Sequence, residues 1–365
     1  MIIISNIERT RFGFYLVEPV GLHDALKYGV KAEEYGFDLV AACDNLFWWT
    51  PGQAPVWNSF AVLTTIMNKT KKIEVMTNVI DSVKYHPAIV AHMVSTLDNI
   101  SNGRFQLGVG GGEIGNFGPL VDQAGSRPYR LLTRLKEFVT VLQGVWKSTI
   151  ENPFSFDGTF FHVKDGFLTS KPFTKPHPPI YLSALGPKMR KFAGHVADGW
   201  IPITYTPESY KKDLKEIESS AKTSGRDVKK IDPGLTIYTI VLKDHERAKE
   251  IAAARGKLDL AARPRLLRDL GYKEIADENL MWSRRPGPLM GEYPKESEYA
   301  SKIPTDLASE VTISGSPDEA IGQIEKFIKS GVKLFVLWQP YEEKDALEET
   351  VENYKNIVIP YFAGR

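Results

Sequence analysis

The order of predicted strands and helices is the sequence feature that most constrains this fold. Short apolar and β-branched runs alternate with longer segments of helical period, the pattern of βα units around a parallel sheet. Eight such strands are predicted, at residues 11–17, 37–43, 73–80, 105–109, 180–183, 199–203, 235–242 and 334–338. In a chain of 365 residues, an eightfold alternation favours a TIM (β/α)8 barrel over a doubly wound sheet.

Local signals mark several of the helices between these strands. A helix over residues 22–35 is predicted to end at Gly36, and another is predicted to begin at Pro87. Ser316, Pro317 and Glu319 form a capping box that opens a helix to residue 329.

Two stretches interrupt the alternation. Residues 152–178 are rich in Pro, Phe and Gly and contain a predicted hairpin turn at residues 156–159. Residues 255–304 combine a basic patch with several prolines and glycines. We expect its arginines to form a solvated basic loop, and binding of an acidic substrate tail is the alternative. We therefore expect one barrel domain over residues 1–365, with two insertions on its rim, where loops carry binding surfaces.

The charge balance and the cysteine count exclude several classes of function. The 46 Lys and Arg residues nearly cancel the 45 Asp and Glu residues, so no general positive field would attract nucleic acid or an anionic membrane. A single cysteine cannot form an internal disulfide. No apolar run approaches the ~20 residues of a membrane span. We expect a cytoplasmic protein whose partners are small molecules.

The most conspicuous motif is a glycine cluster after the fourth strand, residues 108–115. Gly110, Gly112 and Gly115 match the dinucleotide pattern G-x-G-x-x-G, but Asn116 and Pro119 follow where that pattern needs a helix. A loop whose bare backbone lies against a flat ligand is the better interpretation, and a tight turn is the alternative.

Two further segments follow predicted strands and carry polar groups. Asp44 precedes Trp48 and Trp49, and it could contact a polar cofactor or cap the next helix. Residues 185–188 open a helix whose backbone N–H groups and Lys188 could bind phosphate, although a plain helix start is equally consistent. The seven histidines have no metal-site spacing, so no metal is expected.

Together these segments resemble the bacterial luciferase-like superfamily, in particular the branch that uses the deazaflavin coenzyme F420. Within that branch the chain is similar to methylenetetrahydromethanopterin reductases and phthiodiolone-type ketoreductases. The resemblance is carried by residues 11–14, 44, 86–88, 96–98, 101–104, 107–110, 112–113, 116, 184–189, 197–200 and 314–319.

The resemblance implies a barrel, commonly a homodimer, with the deazaflavin at the carboxyl ends of the strands. It places Asp44 at the deazaflavin and a cis Asn78–Val79 peptide behind it, with Trp49 near the reacting ring and Glu113 in proton transfer. The remaining implied cofactor contacts are Asp81, Gly111, Gly112, Asn116, Leu185, Gly186, Lys188 and Met189.

Two residues depart from the family pattern. Many members have histidine where this chain has Asn45, and an amide cannot exchange a proton near neutral pH, so that role is absent or moves to Glu113 or to a group of the substrate. Glucose 6-phosphate oxidation becomes less expected for this reason. Asp81 replaces a neutral residue, and its carboxylate would need a partner near an anionic cofactor.

The sequence therefore predicts an F420-dependent oxidoreductase acting on a methylenetetrahydromethanopterin-type carrier or a ketone. An FMN-dependent monooxygenase and an F420-binding protein without turnover are the alternatives.

Overall fold

The protein folds around a ring of parallel strands. The structure is a computed structural model that describes residues 9–17, 21–46, 56–112, 130–280 and 298–363. Its strands are β1 (Arg11–Leu16), β2 (Leu39–Ala42), β3 (Glu74–Asp81), β4 (Phe105–Gly110), β5 (Phe154–Asp157), β6 (His162–Gly166), β7 (Ile180–Ser183), β8 (Gly199–Trp200), β9 (Asp232–Val241), β10 (Thr312–Gly315) and β11 (Leu334–Trp338).

The ring closes through eight of these strands. The order β9-β11-β1-β2-β3-β4-β7-β8 returns to its start because β8 also pairs with β9, and every pairing in the ring is parallel. These eight strands correspond to the eight predicted ones, so the predicted TIM barrel is confirmed. The additional strand β10 was not predicted and pairs only with the last four residues of β9.

Helices surround the ring, and their ends follow the local signals in the sequence. The first helix ends at Glu34, with Tyr35 as its C-cap and Gly36 at φ +84°, and the third begins at Pro87. The capping box of Ser316 and Glu319 is present. The helices are α1 (Leu22–Glu34), α2 (Ser59–Lys69), α3 (Pro87–Ser101), α4 (Leu131–Lys147), α5 (Pro187–Val196), α6 (Pro207–Thr223), α7 (His245–Ala261), α8 (Pro264–Asp269), α9 (Lys273–Leu280), α10 (Thr305–Glu310), α11 (Pro317–Lys329), α12 (Lys344–Asn353) and α13 (Ile359–Ala363).

A buried ionic cluster fills the amino-terminal end of the barrel. Arg11, 1% exposed, pairs with Asp232 and lies 3.6 Å from Glu74. The hydroxyl of Tyr181 donates to the same Asp232 oxygen at 2.5 Å, and burial together with Asp232 raises the pKa of this phenol, which therefore stays protonated. The cluster links β1, β3, β7 and β9 across the inside of the ring.

Both predicted insertions take regular structure. The first contains the antiparallel hairpin β5–β6, whose connecting residues are 158–161, two residues beyond the predicted turn. The second is largely helical where it is described, and α7 runs continuously through its predicted start at residue 255. Its helices share a small apolar core with α10, and this core includes Leu260, Leu267 and Leu307.

Among the described residues, no helix combines the length and apolar character needed to cross a membrane.

The buried pair at the amino-terminal end generates a stability prediction. Asp232→Ala removes the carboxylate that lies closest to the buried Arg11 charge, so we expect the free energy of unfolding in urea to fall by about 3–5 kcal/mol. Arg9→Ala is the control, because the Arg9–Asp38 pair has Arg9 44% exposed and should change stability by about 0–1 kcal/mol. Equal losses in the two variants would contradict this account.

Candidate active site at the barrel mouth

The predicted site residues lie at the carboxyl ends of neighbouring strands. Asp44 follows β2, Asp81 ends β3, Gly111 follows β4 and Leu185 follows β7. Because β2, β3, β4 and β7 are consecutive in the ring, these four segments form one continuous arc of the barrel mouth. In TIM-barrel enzymes this end of the barrel carries the active site.

The carboxylate of Asp44 is buried and fully bonded within the protein. One oxygen accepts from the backbone N–H of Ser59 at 3.2 Å and from its hydroxyl at 2.8 Å. The other accepts from Lys84 Nζ at 2.9 Å and from the Tyr85 hydroxyl at 2.8 Å. These four bonds use the lone pairs of a carboxylate. Asp44 therefore ties β2, α2 and the β3–α3 loop together, and its predicted contact with a cofactor stays a prediction.

The segment Asn78–Val79 is held from both sides of the barrel. The peptide bond between these residues is cis, as predicted. The carbonyl of Asn78 accepts from the Tyr15 hydroxyl at 2.7 Å, and Asn78 Nδ2 donates to Thr236 Oγ1 at 2.9 Å. The pairing of β3 with β4 shifts register at this point, so the backbone bulges at the barrel mouth.

The glycine loop after β4 brings two predicted cofactor segments together. A Cβ at Gly110 would lie 3.0 Å from a methyl group of Val79, and a Cβ at Gly111 would lie 2.6 Å from Met189 Cε. Gly112 has φ +104°, which glycine adopts without strain. Val79, Gly111 and Met189, predicted from three separate motifs, are thus linked by contacts.

The segment from Leu185 to Met189 is fixed by an arginine that the sequence analysis did not single out. Arg190 is buried, and it donates to the Leu185 carbonyl at 2.5 Å while it pairs with Asp213 and Glu216 at 2.9 and 2.8 Å. The N-cap residue of α5 is Gly186, which has no side chain to cap the first turn. The N–H groups of this turn can therefore bind an anion, and Arg190 fixes the segment that precedes them.

The second insertion reaches this same helix start. A Cβ at Gly186 would lie 2.5 Å from a guanidinium nitrogen of Arg265, at the start of α8. Lys188, two residues further along the chain than Gly186, is exposed. Arg265 is exposed as well, as predicted, but it lies in α8 rather than in a loop and is close to the predicted phosphate segment. The cluster of arginines in the sequence pointed to this segment, but the sequence does not show that Arg265 lies beside Gly186.

Asp81 carries a carboxylate oxygen without a partner among the described residues. One oxygen accepts from the backbone N–H groups of Val83 and Lys84 at 2.8 and 3.3 Å, while Oδ2 is buried and accepts no hydrogen bond from this part of the chain. Burial raises the pKa of Asp81, against the opposing charge of Lys84. Arg134 also interacts with Asp81 electrostatically, and its guanidinium stacks 4.0 Å from the ring centroid of Phe160.

The predicted catalytic residues are only partly placed. Asn45 is half-buried beside Asp44 at the mouth. Trp49, Glu113 and Asn116 lie outside the described residues. Within the described ranges, no cluster of three or more His, Cys, Asp or Glu side chains could hold a metal ion.

Comparison with known proteins assigns the chain to a family. Residues 9–334 match the family described as luciferase-like monooxygenase, and the chain belongs to that family. It is 28% identical to the F420-dependent glucose-6-phosphate dehydrogenase of Microbacterium testaceum over 97% of this chain and 98% of the relative. It is 26% identical to the phthiodiolone/phenolphthiodiolone dimycocerosates ketoreductase of Mycobacterium tuberculosis, over 75% of this chain and 71% of the relative.

Solved structures confirm the fold. An F420-dependent secondary alcohol dehydrogenase in complex with an F420-acetone adduct has a TM-score of 0.78 at 25% identity, covering 96% of this chain and 98% of that chain. The coenzyme F420-dependent tetrahydromethanopterin reductase from Methanopyrus kandleri has a TM-score of 0.77 at 22% identity, and the match covers 97% of this chain and 99% of that chain. The predicted resemblance to the F420-dependent branch is thereby confirmed.

The unpartnered oxygen of Asp81 generates a pH prediction. Its raised pKa means that the folded protein loses stability as pH rises above the ordinary range of an aspartate. Asp81→Asn should therefore raise the free energy of unfolding by about 1–3 kcal/mol at pH 7, and this gain should vanish as pH falls to about 4. Urea unfolding at several pH values measures the difference, and a gain that persists unchanged at low pH would contradict the assignment.

Proposed function

We propose that this protein is an oxidoreductase that transfers a hydride between coenzyme F420 and a small organic substrate. The observation that carries the proposal is a continuous path of contacts along the barrel mouth. Val79 lies against Gly110, the neighbouring Gly111 lies against Met189, and Gly186 lies against Arg265. The F420-dependent relatives described above support the identity of the cofactor.

The residues along this path fit the parts of F420. At one end, the bare backbone of the glycine loop and the Asn78–Val79 bulge offer a surface for a flat ring. At the other end, the uncapped start of α5, Lys188 and Arg265 supply donors and positive charge for the phosphate and carboxylates of the coenzyme. When bound, F420 supplies the hydride chemistry, and the protein supplies position.

The protein's own residues would hold and orient the reactants. Tyr15 and Thr236 fix Asn78 behind the ring, and Arg190 fixes the segment that meets the phosphate. Asn45 can donate a hydrogen bond but cannot move a proton near neutral pH. Proton transfer is therefore assigned to Glu113, with Trp49 beside the ring and Asn116 in the cofactor loop, as the family resemblance implies.

For the substrate, we propose a methylenetetrahydromethanopterin-type carrier or a ketone. Glucose 6-phosphate, named for a relative, is less favoured because Asn45 stands where histidine is common. An FMN-dependent monooxygenase is the alternative cofactor class, and F420 binding without turnover is the alternative activity. That the protein forms a homodimer and that it is cytoplasmic both stay predictions.

A binding titration with F420, FMN and NADP tests the cofactor, and stopped-flow measurement of reduced F420 against methylene-tetrahydromethanopterin and acetone tests the activity. We expect F420 to bind and to be oxidised by at least one substrate. Binding of FMN alone would overturn the proposal, while F420 binding without any oxidation would favour the non-catalytic alternative.

Arg190 provides a sharper test of the cofactor site. Arg190→Met removes the bond to the Leu185 carbonyl and the two ion pairs, so we expect F420 binding to weaken about tenfold, the equivalent of about 1.4 kcal/mol. Arg226→Met is the matched control, because Arg226 donates to the carbonyls of Gly194 and Ala197 at the opposite end of the same helix. Equal weakening in the two variants would mean that α5 stability, rather than its first turn, governs binding.

A further inference from the structure

Two buried hydrogen-bond donors at the end of β11 have no partner among the residues that the structure describes. They are Nε1 of Trp338 and Nε2 of Gln339, in side chains that are 6% and 1% exposed. The indoles of Trp146 and Trp200, also buried, donate to the carbonyls of Ala91 and Ala184 at 3.0 and 2.9 Å. An unmet buried donor costs about 1–3 kcal/mol. Two adjacent ones at the mouth of the barrel offer a bound ligand a place to supply the missing acceptor.

Trp338 lies at the mouth, near the proposed deazaflavin position. Its ring packs edge-on against Tyr15, with centroids 6.1 Å apart, and against Tyr238 at 6.3 Å. The Tyr15 hydroxyl in turn bonds the carbonyl of Asn78. A ligand held by Trp338 would therefore be close to a ring placed against Asn78–Val79.

The charges around Trp338 indicate which kind of group it would bind. The guanidinium of Arg255 lies 3.7 Å from the Trp338 ring centroid, and it pairs with Asp259 at 3.0 Å and with Glu342 at 3.7 Å. Because these carboxylates balance its charge, Arg255 braces the ring without creating a site for an anion. The two groups left for a ligand are neutral N–H donors, which suit a neutral acceptor.

We propose that Trp338 Nε1 and Gln339 Nε2 form a substrate subsite that binds an uncharged carbonyl oxygen, as found in a ketone or in the lactam ring of a pterin. This inference rests on the proposed function, since the ligand it describes is the hydride partner of F420. It also ranks substrates, because a carbonyl oxygen only accepts, whereas each hydroxyl of a phosphorylated sugar also carries a proton for which these two donors offer no acceptor.

NMR of the full chain labelled with 15N in its tryptophan indoles tests the subsite directly. The signal of Trp338 is assigned with Trp338→Phe, and those of Trp146 and Trp200 with the corresponding variants. Acetone, tetrahydromethanopterin or glucose 6-phosphate is then added, with and without F420. We expect acetone or tetrahydromethanopterin to move the Trp338 indole proton downfield, while glucose 6-phosphate and the other two tryptophans give no such shift.

A Trp338 signal unmoved by both carbonyl compounds, or moved equally by glucose 6-phosphate, would overturn the subsite. The F420 titration on the same sample separates this failure from a failure of the proposed function. Trp338→Phe should weaken binding of the responding carbonyl compound about tenfold and leave the Kd for F420 unchanged. Trp146→Phe is the matched control and should alter neither value.

Discussion

Closure of the strand ring is the constraint on which the rest of this structure depends. The short pairing of β8 with β9 joins the two ends of the ring, so all eight strands point their carboxyl ends to one mouth. At the opposite end, the buried cluster of Arg11, Asp232 and Tyr181 connects strands from distant parts of the ring. Residues more than a hundred positions apart, such as Asn78 and Thr236, meet only because the ring is closed.

The two sides of the mouth satisfy their polar groups differently. On the side of β2, donors of the protein itself occupy the acceptor sites of the Asp44 carboxylate. These hydrogen bonds hold Asp44 rigidly in place. On the side of β11, Trp338 and Gln339 keep donors that no described residue uses. The second insertion reaches this side and also the start of α5, which follows β7, because Arg255 braces Trp338 while Arg265 lies against Gly186. One inserted segment thus contributes to both proposed binding regions.

The ring strands and the cofactor arc could be predicted from sequence because both depend on local patterns. Strand periodicity located the eight ring strands, and the glycine cluster and the start of α5 identified the arc. Helix α7 was missed because it changes partners along its length: Ala248 and Ala252 pack on the barrel core, whereas Leu260 and Ala261 pack in the insertion core, so no single apolar stripe exists. Arg190 and the Asp44 carboxylate make hydrogen bonds to segments that are distant in the sequence. No local sequence pattern encodes such contacts.

The most direct test of the central claim is a crystal structure of the protein with F420 bound. The account predicts that the deazaflavin ring lies against Asn78–Val79 and that the phosphate lies within hydrogen-bond distance of the first turn of α5. A phosphate remote from residues 185–189, or a ring bound away from the Asn78–Val79 bulge, would contradict it.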